Sequence, residues 1–134
     1  MEIFISGYGR MGKMIEGVLQ SRGLTCSGKS EDIVSVDKEV AKRSICIDFT
    51  TPDAFRANYK FIAENFAAAV VGTTGWYDIS GEIFGYFEKC NTPLIWGSNF
   101  SVGVNVLSAA VDLVSKLLAK NGGYAPYIVE KHHC

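Results

Sequence analysis

Six residues near the N-terminus, Gly7-Tyr8-Gly9-Arg10-Met11-Gly12, leave this chain little freedom in what it can fold into. They follow Glu2–Ser6, a short run rich in β-branched and aromatic residues. They open a stretch in which Met11, Met14, Ile15, Val18 and Leu19 recur at helical spacing. Strand, G-x-G-x-x-G turn and helix in that order begin a dinucleotide-binding βαβ unit. Gly7 allows the tight turn, Gly9 lets the backbone approach a pyrophosphate, and Gly12 lets helix and strand pack closely. The helix N-terminus adds free N–H groups and the positive end of its dipole. The plainer alternative is a glycine turn that holds no ligand. The α/β pattern of the remaining chain favours the nucleotide.

That pattern runs as follows. Gly23 stops the first helix, and Leu24–Ser27 reads as a weak second strand. Residues 30–44 are polar, and only a short helical turn over 37–42 fits them. Ile45–Phe49 is a third strand. Thr51 caps the next helix and Pro52 suits its first turn, with Phe55, Tyr59, Ile62 and Phe66 on one face. Ala68–Val71 is a strand, Ser80–Cys90 a helix, and Leu94–Trp96 a strand after the Thr92-Pro93 break. A long helix starts at Val104, carries Leu107, Ala110, Val111, Val114, Leu117 and Leu118 on one face, and ends at Gly122-Gly123. Tyr127–Glu130 reads as a last strand. Alternating strands and helices predict an α/β fold, a Rossmann-like, doubly wound, mostly parallel sheet with helices on both faces. The expected domains are a dinucleotide-binding domain over 1–123 and the start of a truncated second domain over 124–134.

Composition narrows the class. The chain has 134 residues, enough for one domain with a real core. Its net charge of -1 gives no electrostatic case for nucleic acid or a membrane surface. Cys26, Cys46, Cys90 and Cys134 are far apart and read as reduced thiols rather than disulfides or a metal site. The first residues lack a signal-peptide pattern, and the longest apolar run, 66–71, is too short for a membrane span. A cytoplasmic protein is expected.

An acidic residue about 20 positions beyond the glycine loop favours NADH. The second strand here ends in Ser27-Gly28-Lys29-Ser30-Glu31-Asp32, so the position past it reads as small or basic. Lys29 and Ser30 suit the 2′-phosphate of NADPH, while Glu31 and Asp32 keep NADH open. Lys29 as a plain solvated charge is an equal alternative. Three further loops follow strands: 48–52, 72–75 and 97–103, each mixing hydroxyls or an amide with turn-forming residues. Singly they read as turns or caps: Thr51 and Ser101 are good N-caps, and Asp48 suits a bond to loop backbone. Together, on one edge of one sheet, they suit the nicotinamide end of a cofactor.

The segments "GYGRMG", "DFTTP", "VVGTTG", "SNFSVGVN" and "VEKHH" occur in the order seen in bacterial dihydrodipicolinate reductases, and the chain resembles that family over nearly its whole length. The likeness is weakest over 29–44. It implies NADPH or NADH held by Gly7, Tyr8, Gly9, Arg10, Met11 and Gly12, with Lys29 near the ribose. It implies that Gly72, Thr73 and Thr74 lie beside the nicotinamide, and that Ser98, Asn99 and Phe100 form a second cofactor loop. It implies hydride transfer to a cyclic unsaturated dicarboxylate, with His132 as proton donor and His133 binding the substrate. Histidine suits that work because its ordinary pKa lies near neutrality. A tag remnant or an idle chain end is the alternative for that pair. The family's motif continues to a lysine and a Gly-Thr that grips a carboxylate, and this sequence stops at Cys134 before them.

The chain is therefore expected to bind cofactor with little or no turnover. The family's homotetramer is not expected from it, and exposed apolar surface should promote self-association. Two rival readings remain: another Rossmann-type reductase, or a stand-alone NAD(P)-binding sensor module.

Overall fold

The computed structural model describes residues 2–129. The chain divides into two compact units, Met1–Ser98 and Asn99–Cys134.

The first unit is built on β1 (Glu2–Ser6), β2 (Cys26–Ser30), β3 (Ser44–Asp48), β4 (Ala68–Val71) and β5 (Leu94–Trp96). Between them lie α1 (Arg10–Ser21), α2 (Lys38–Lys42), α3 (Pro52–Asn65) and α4 (Ser80–Cys90). The strands form one parallel sheet in the order β2-β1-β3-β4-β5. The chain starts in the interior of the sheet, steps one way to β2, then returns past β1 and continues the other way. Right-handed crossovers then place α1 on one face and α3 and α4 on the other. The doubly wound expectation holds, and the sheet reverses direction between β1 and β3.

Strand register separates the two faces. Phe4, Cys46, Ala69 and Leu94 stand in one row. They pack with Phe55, Tyr59 and Ile62 of α3 and Ile83 and Phe87 of α4. Phe55, Ile62 and Ile83 are fully buried, each worth about 1.5–3 kcal/mol over exposure. The opposite row is Ile5, Ile47, Val70 and Ile95. Its cover fades along the sheet: Ile5 is buried, Ile47 and Val70 are half-buried, and Ile95 is 62% exposed.

Thr51 caps α3 as its sequence suggests, its side chain accepting from the Ala54 N–H at 3.2 Å, with Pro52 at the first helical position. Thr51→Ala is expected to cost about 1 kcal/mol, read as a lower urea midpoint at unchanged slope. No shift in midpoint would mean that the cap is made by water.

Two sequence expectations are corrected. The second strand is not Leu24–Ser27 but Cys26–Ser30. It has few β-formers, and its place is set by its neighbour: Ile5 pairs with Lys29 and Ser6 with Ser30. The residue just past the strand is therefore Glu31, which is acidic. The expected last strand also fails over residues 127–129, which have no regular structure. A strand exists by pairing its backbone groups, and no described strand pairs with this one. Glu130 lies outside the described residues.

The second unit is dominated by α5 (Val102–Asn121), capped by the Ser101 side chain accepting from Val104 N–H at 3.4 Å. Gly122, at a φ of +66°, ends it. Its own unit leaves Val104, Leu107, Val111, Val114 and Leu118 exposed. Its 20 residues and mean hydropathy of 1.6 would let it cross a membrane by length and composition. Asn105, Ser108, Asp112 and Lys116 form a polar stripe along it, however, and Asp112 and Lys116 pair at 2.6 Å. That amphipathic pattern suits packing on protein.

Candidate nucleotide-binding site

All five strands end at the same edge, so the loops after β1, β3, β4 and β5 share it. Each is fixed at its root by an amide bonded into the neighbouring strand. Gly7 N–H donates to Ser30 O at 2.9 Å and Phe49 N–H to Ser6 O at 3.0 Å. Gly72 N–H donates to Asp48 O at 2.9 Å and Gly97 N–H to Val71 O at 3.1 Å.

Where the sheet reverses, between β1 and β3, a cleft of about 340 Å³ opens. Gly7, Tyr8 and Gly9 form one wall, Phe49, Thr50, Thr51 and Ala54 another, and Glu31 reaches in from the end of β2. The glycines differ in what they face. A Cβ on Gly7 would stand 2.5 Å from Phe49 O, and one on Gly12 would stand 2.3 Å from Gly7 O. Gly7 also has a φ of +85°, which only glycine adopts freely. A Cβ on Gly9 would meet nothing within 4 Å. Gly9 is the N-cap of α1, and no side chain caps it among the described residues. Open space thus borders uncapped N–H groups at a helix start, which is what a pyrophosphate requires.

A buried carboxylate holds this edge together. Asp48 is fully buried and ends β3. Its Oδ2 accepts from Ser6 Oγ at 2.6 Å. Its Oδ1 accepts from Thr73 Oγ1 at 2.5 Å and Thr50 Oγ1 at 2.9 Å. Thr50 N–H donates to Thr73 Oγ1 at 2.7 Å. One side chain thereby ties the ends of β1, β3 and β4. Beside it, burial first and the Asp48 charge second push the Cys46 thiol well above its ordinary pKa, so this cysteine is no nucleophile.

The expected site residues divide accordingly. Gly7, Tyr8 and Gly9 line the cleft, Arg10 and Met11 are exposed at the start of α1, and Gly12 is buried beneath Gly7. Gly72 lies against the Phe49 ring, Thr73 is buried in the Asp48 network, and Thr74 is exposed. Ser98 is the last residue of the first unit, while Asn99 belongs to the second, where its Oδ1 accepts from Ser101 N–H at 2.8 Å. Phe100 also lies in the second unit and is exposed. His132 and His133 lie outside the described residues.

Lys29 is not among the lining residues. Its Nζ bonds Glu16 Oε1 at 2.7 Å and Tyr8 Oη at 3.0 Å. Glu16 and then Tyr8 raise its pKa above the usual lysine value. Lys29 and then Tyr8 hold the Glu16 carboxyl below its own. Sequence reasoning missed Glu16, Glu31's place in the wall and Asp48's role as a tie. The acidic residue after the second strand was a usable signal, hidden by the misplaced strand end.

The parallel sheet, the glycine turn at α1 and the cleft at the reversal define a Rossmann-like dinucleotide-binding domain. Residues 27–100 match the family model described as dihydrodipicolinate reductase, N-terminus. The chain belongs to the dihydrodipicolinate reductase family, whose members use NAD(P)H. It is 32% identical over 134 residues to the 4-hydroxy-tetrahydrodipicolinate reductase of Christiangramia forsetii, a match over 99% of this chain and 56% of that protein. Against the Ralstonia pickettii enzyme of the same name it is 31% identical over 157 residues, 99% of this chain and 59% of that one. Against the Neisseria meningitidis enzyme it is 34% identical over 98 residues, 73% of this chain and 35% of that one. The chain thus spans little more than half the length of the first two relatives.

Proposed function

We propose that this chain is the cofactor-binding part of a 4-hydroxy-tetrahydrodipicolinate reductase, a step toward diaminopimelate and lysine. The observation that carries the reading is Gly9: an open glycine at the uncapped start of α1, in the cleft where the sheet reverses. Bound NADH or NADPH supplies the hydride for reducing a cyclic unsaturated dicarboxylate. This chain's residues hold the cofactor and supply the proton. Amides of the glycine loop and the first turn of α1 hold the pyrophosphate, and Arg10 adds positive charge there. Gly72, Thr73 and Thr74 border the nicotinamide, and the family resemblance makes Ser98, Asn99 and Phe100 a cofactor-contacting loop. His132 gives the proton to the carbon beside the reduced one, and His133 binds substrate. Residues 1–123 form the cofactor domain and 124–134 begin the substrate-binding part. A cytoplasmic location fits this biosynthetic role.

Titration of the 134-residue chain with NADH and NADPH, followed by cofactor fluorescence, tests the reading. Saturable binding is expected, with little or no turnover of the dicarboxylate. His132→Ala should leave both affinities within about twofold, because a proton donor adds nothing to nucleotide binding. Failure to bind either nucleotide would end the cofactor assignment. Robust turnover would end the assignment of substrate binding elsewhere.

A further inference from the structure

One cluster beside the cleft joins two of the expected cofactor residues, Tyr8 and Lys29, to a third residue, Glu16, that the cofactor reading leaves out. Tyr8 lines the cleft. Its hydroxyl donates to Glu16 Oε2 and accepts from Lys29 Nζ. Lys29 Nζ pairs with Glu16 Oε1 at 2.7 Å and stands 4.2 Å from the centre of the Tyr8 ring. The glycine loop, the second turn of α1 and the end of β2 each contribute one residue to a closed triangle.

We propose that Glu16 sets the choice of nicotinamide cofactor: it holds Lys29 against Tyr8, away from a 2′-phosphate, and leaves Glu31 to receive the ribose hydroxyls, so the chain prefers NADH. This rests on the cofactor reading above. An acidic residue just past the second strand is the one a dinucleotide's ribose meets. Here Glu31 is the residue just past β2, and it lines the cleft. A carboxylate accepts hydrogen bonds from two hydroxyls and repels a phosphate. Lys29, one residue before the strand end, is the cation placed to reverse that preference. Two of its three N–H donors are already engaged, by a carboxylate and a phenol that hold the ammonium at the Tyr8 ring. The Glu16 side chain is 20% exposed and that of Lys29 42%, so solvent screens the pair in part and geometry rather than charge alone holds the lysine. Arg10 and Lys13 lie in the first turn of α1; Lys13 Nζ stands 5.9 Å from the centre of the Tyr8 ring, farther than Lys29 at 4.2 Å.

The test is a pair of fluorescence titrations, with NADH and with NADPH, on the wild-type chain and its variants. Wild type should bind NADH about tenfold more tightly than NADPH. Glu16→Gln keeps the size of the side chain but removes its charge. It should tighten NADPH about tenfold, the value of one freed charge-assisted contact, with NADH within about twofold. Adding Lys29→Met to Glu16→Gln should erase the gain. A preference unmoved by Glu16→Gln, a gain that survives loss of Lys29, or a wild type that prefers NADPH would overturn the proposal. Binding of both nucleotides with an unmoved preference overturns this inference alone. Binding of neither overturns the cofactor reading with it.

Discussion

Asp48→Ala is expected to destabilise the first unit by about 3 kcal/mol, the largest loss from any single polar truncation in the sheet. The carboxylate is fully buried, and its two oxygens accept from three hydroxyls, those of Ser6, Thr73 and Thr50. Alanine removes the acceptors and leaves two of those hydroxyls, on Ser6 and Thr73, in places closed to water. A buried donor without its partner costs about 1–3 kcal/mol, which is why truncation is worse than the modest net value of any one bond. Asp48→Asn keeps the volume and one acceptor oxygen, and hydroxyls can turn to accept from its amide, so it should lose about half as much. Urea unfolding followed by tryptophan fluorescence reads both, since Trp76 is buried and its indole N–H donates to Thr73 O at 2.7 Å. An alanine variant within about 1 kcal/mol of wild type would show that the network is not what holds the edge.

Gly9→Ala and Gly12→Ala should separate binding from stability. At Gly9 the backbone φ is −77°, which suits any residue, and the new methyl meets no protein atom within 4 Å. The loss in stability should stay within about 1 kcal/mol, the difference between glycine and alanine at an N-cap. The methyl does enter the space assigned to the pyrophosphate, so affinity for NADH should fall at least about tenfold. At Gly12 the methyl would stand 2.3 Å from a backbone oxygen. Helix and turn must part there, with a loss of about 1–3 kcal/mol in stability and a loss of binding besides. Gly9→Ala that binds like wild type would place the pyrophosphate elsewhere.

Much of this fold was legible because its signals are local. The glycine turn, the Thr51-Pro52 helix start and the β-branched strands each announce themselves within a few residues. β2 did not, because Cys26-Ser27-Gly28-Lys29-Ser30 is held by contacts with distant residues. Ser27 Oγ donates to Ile3 O at 3.1 Å and shares a hydrogen bond with Ser44 Oγ at 2.7 Å. The site follows the same division. The loops that line it were readable as glycine-rich or hydroxyl-bearing segments. Asp48 read as a residue bonding within its own loop, yet it joins Ser6, 42 positions earlier, to Thr73, 25 positions later. No local pattern singles out Glu16, and only the fold brings it to Lys29, 13 positions away. The strand expected over 127–130 shows the converse over 127–129: good local propensity has not made a strand there, where none of the described residues pairs with it.

The amides that root the four loops in the neighbouring strands also bear on how a nucleotide would be met. Fixing one residue's backbone costs about 1–2 kcal/mol of conformational entropy. Gly7, Phe49, Gly72 and Gly97 are already fixed by their hydrogen bonds, so roughly 4–8 kcal/mol of ordering is complete before any ligand arrives. The receiving edge is preformed at its roots, and the bonds of Thr50 and Thr73 to Asp48 carry that order past them.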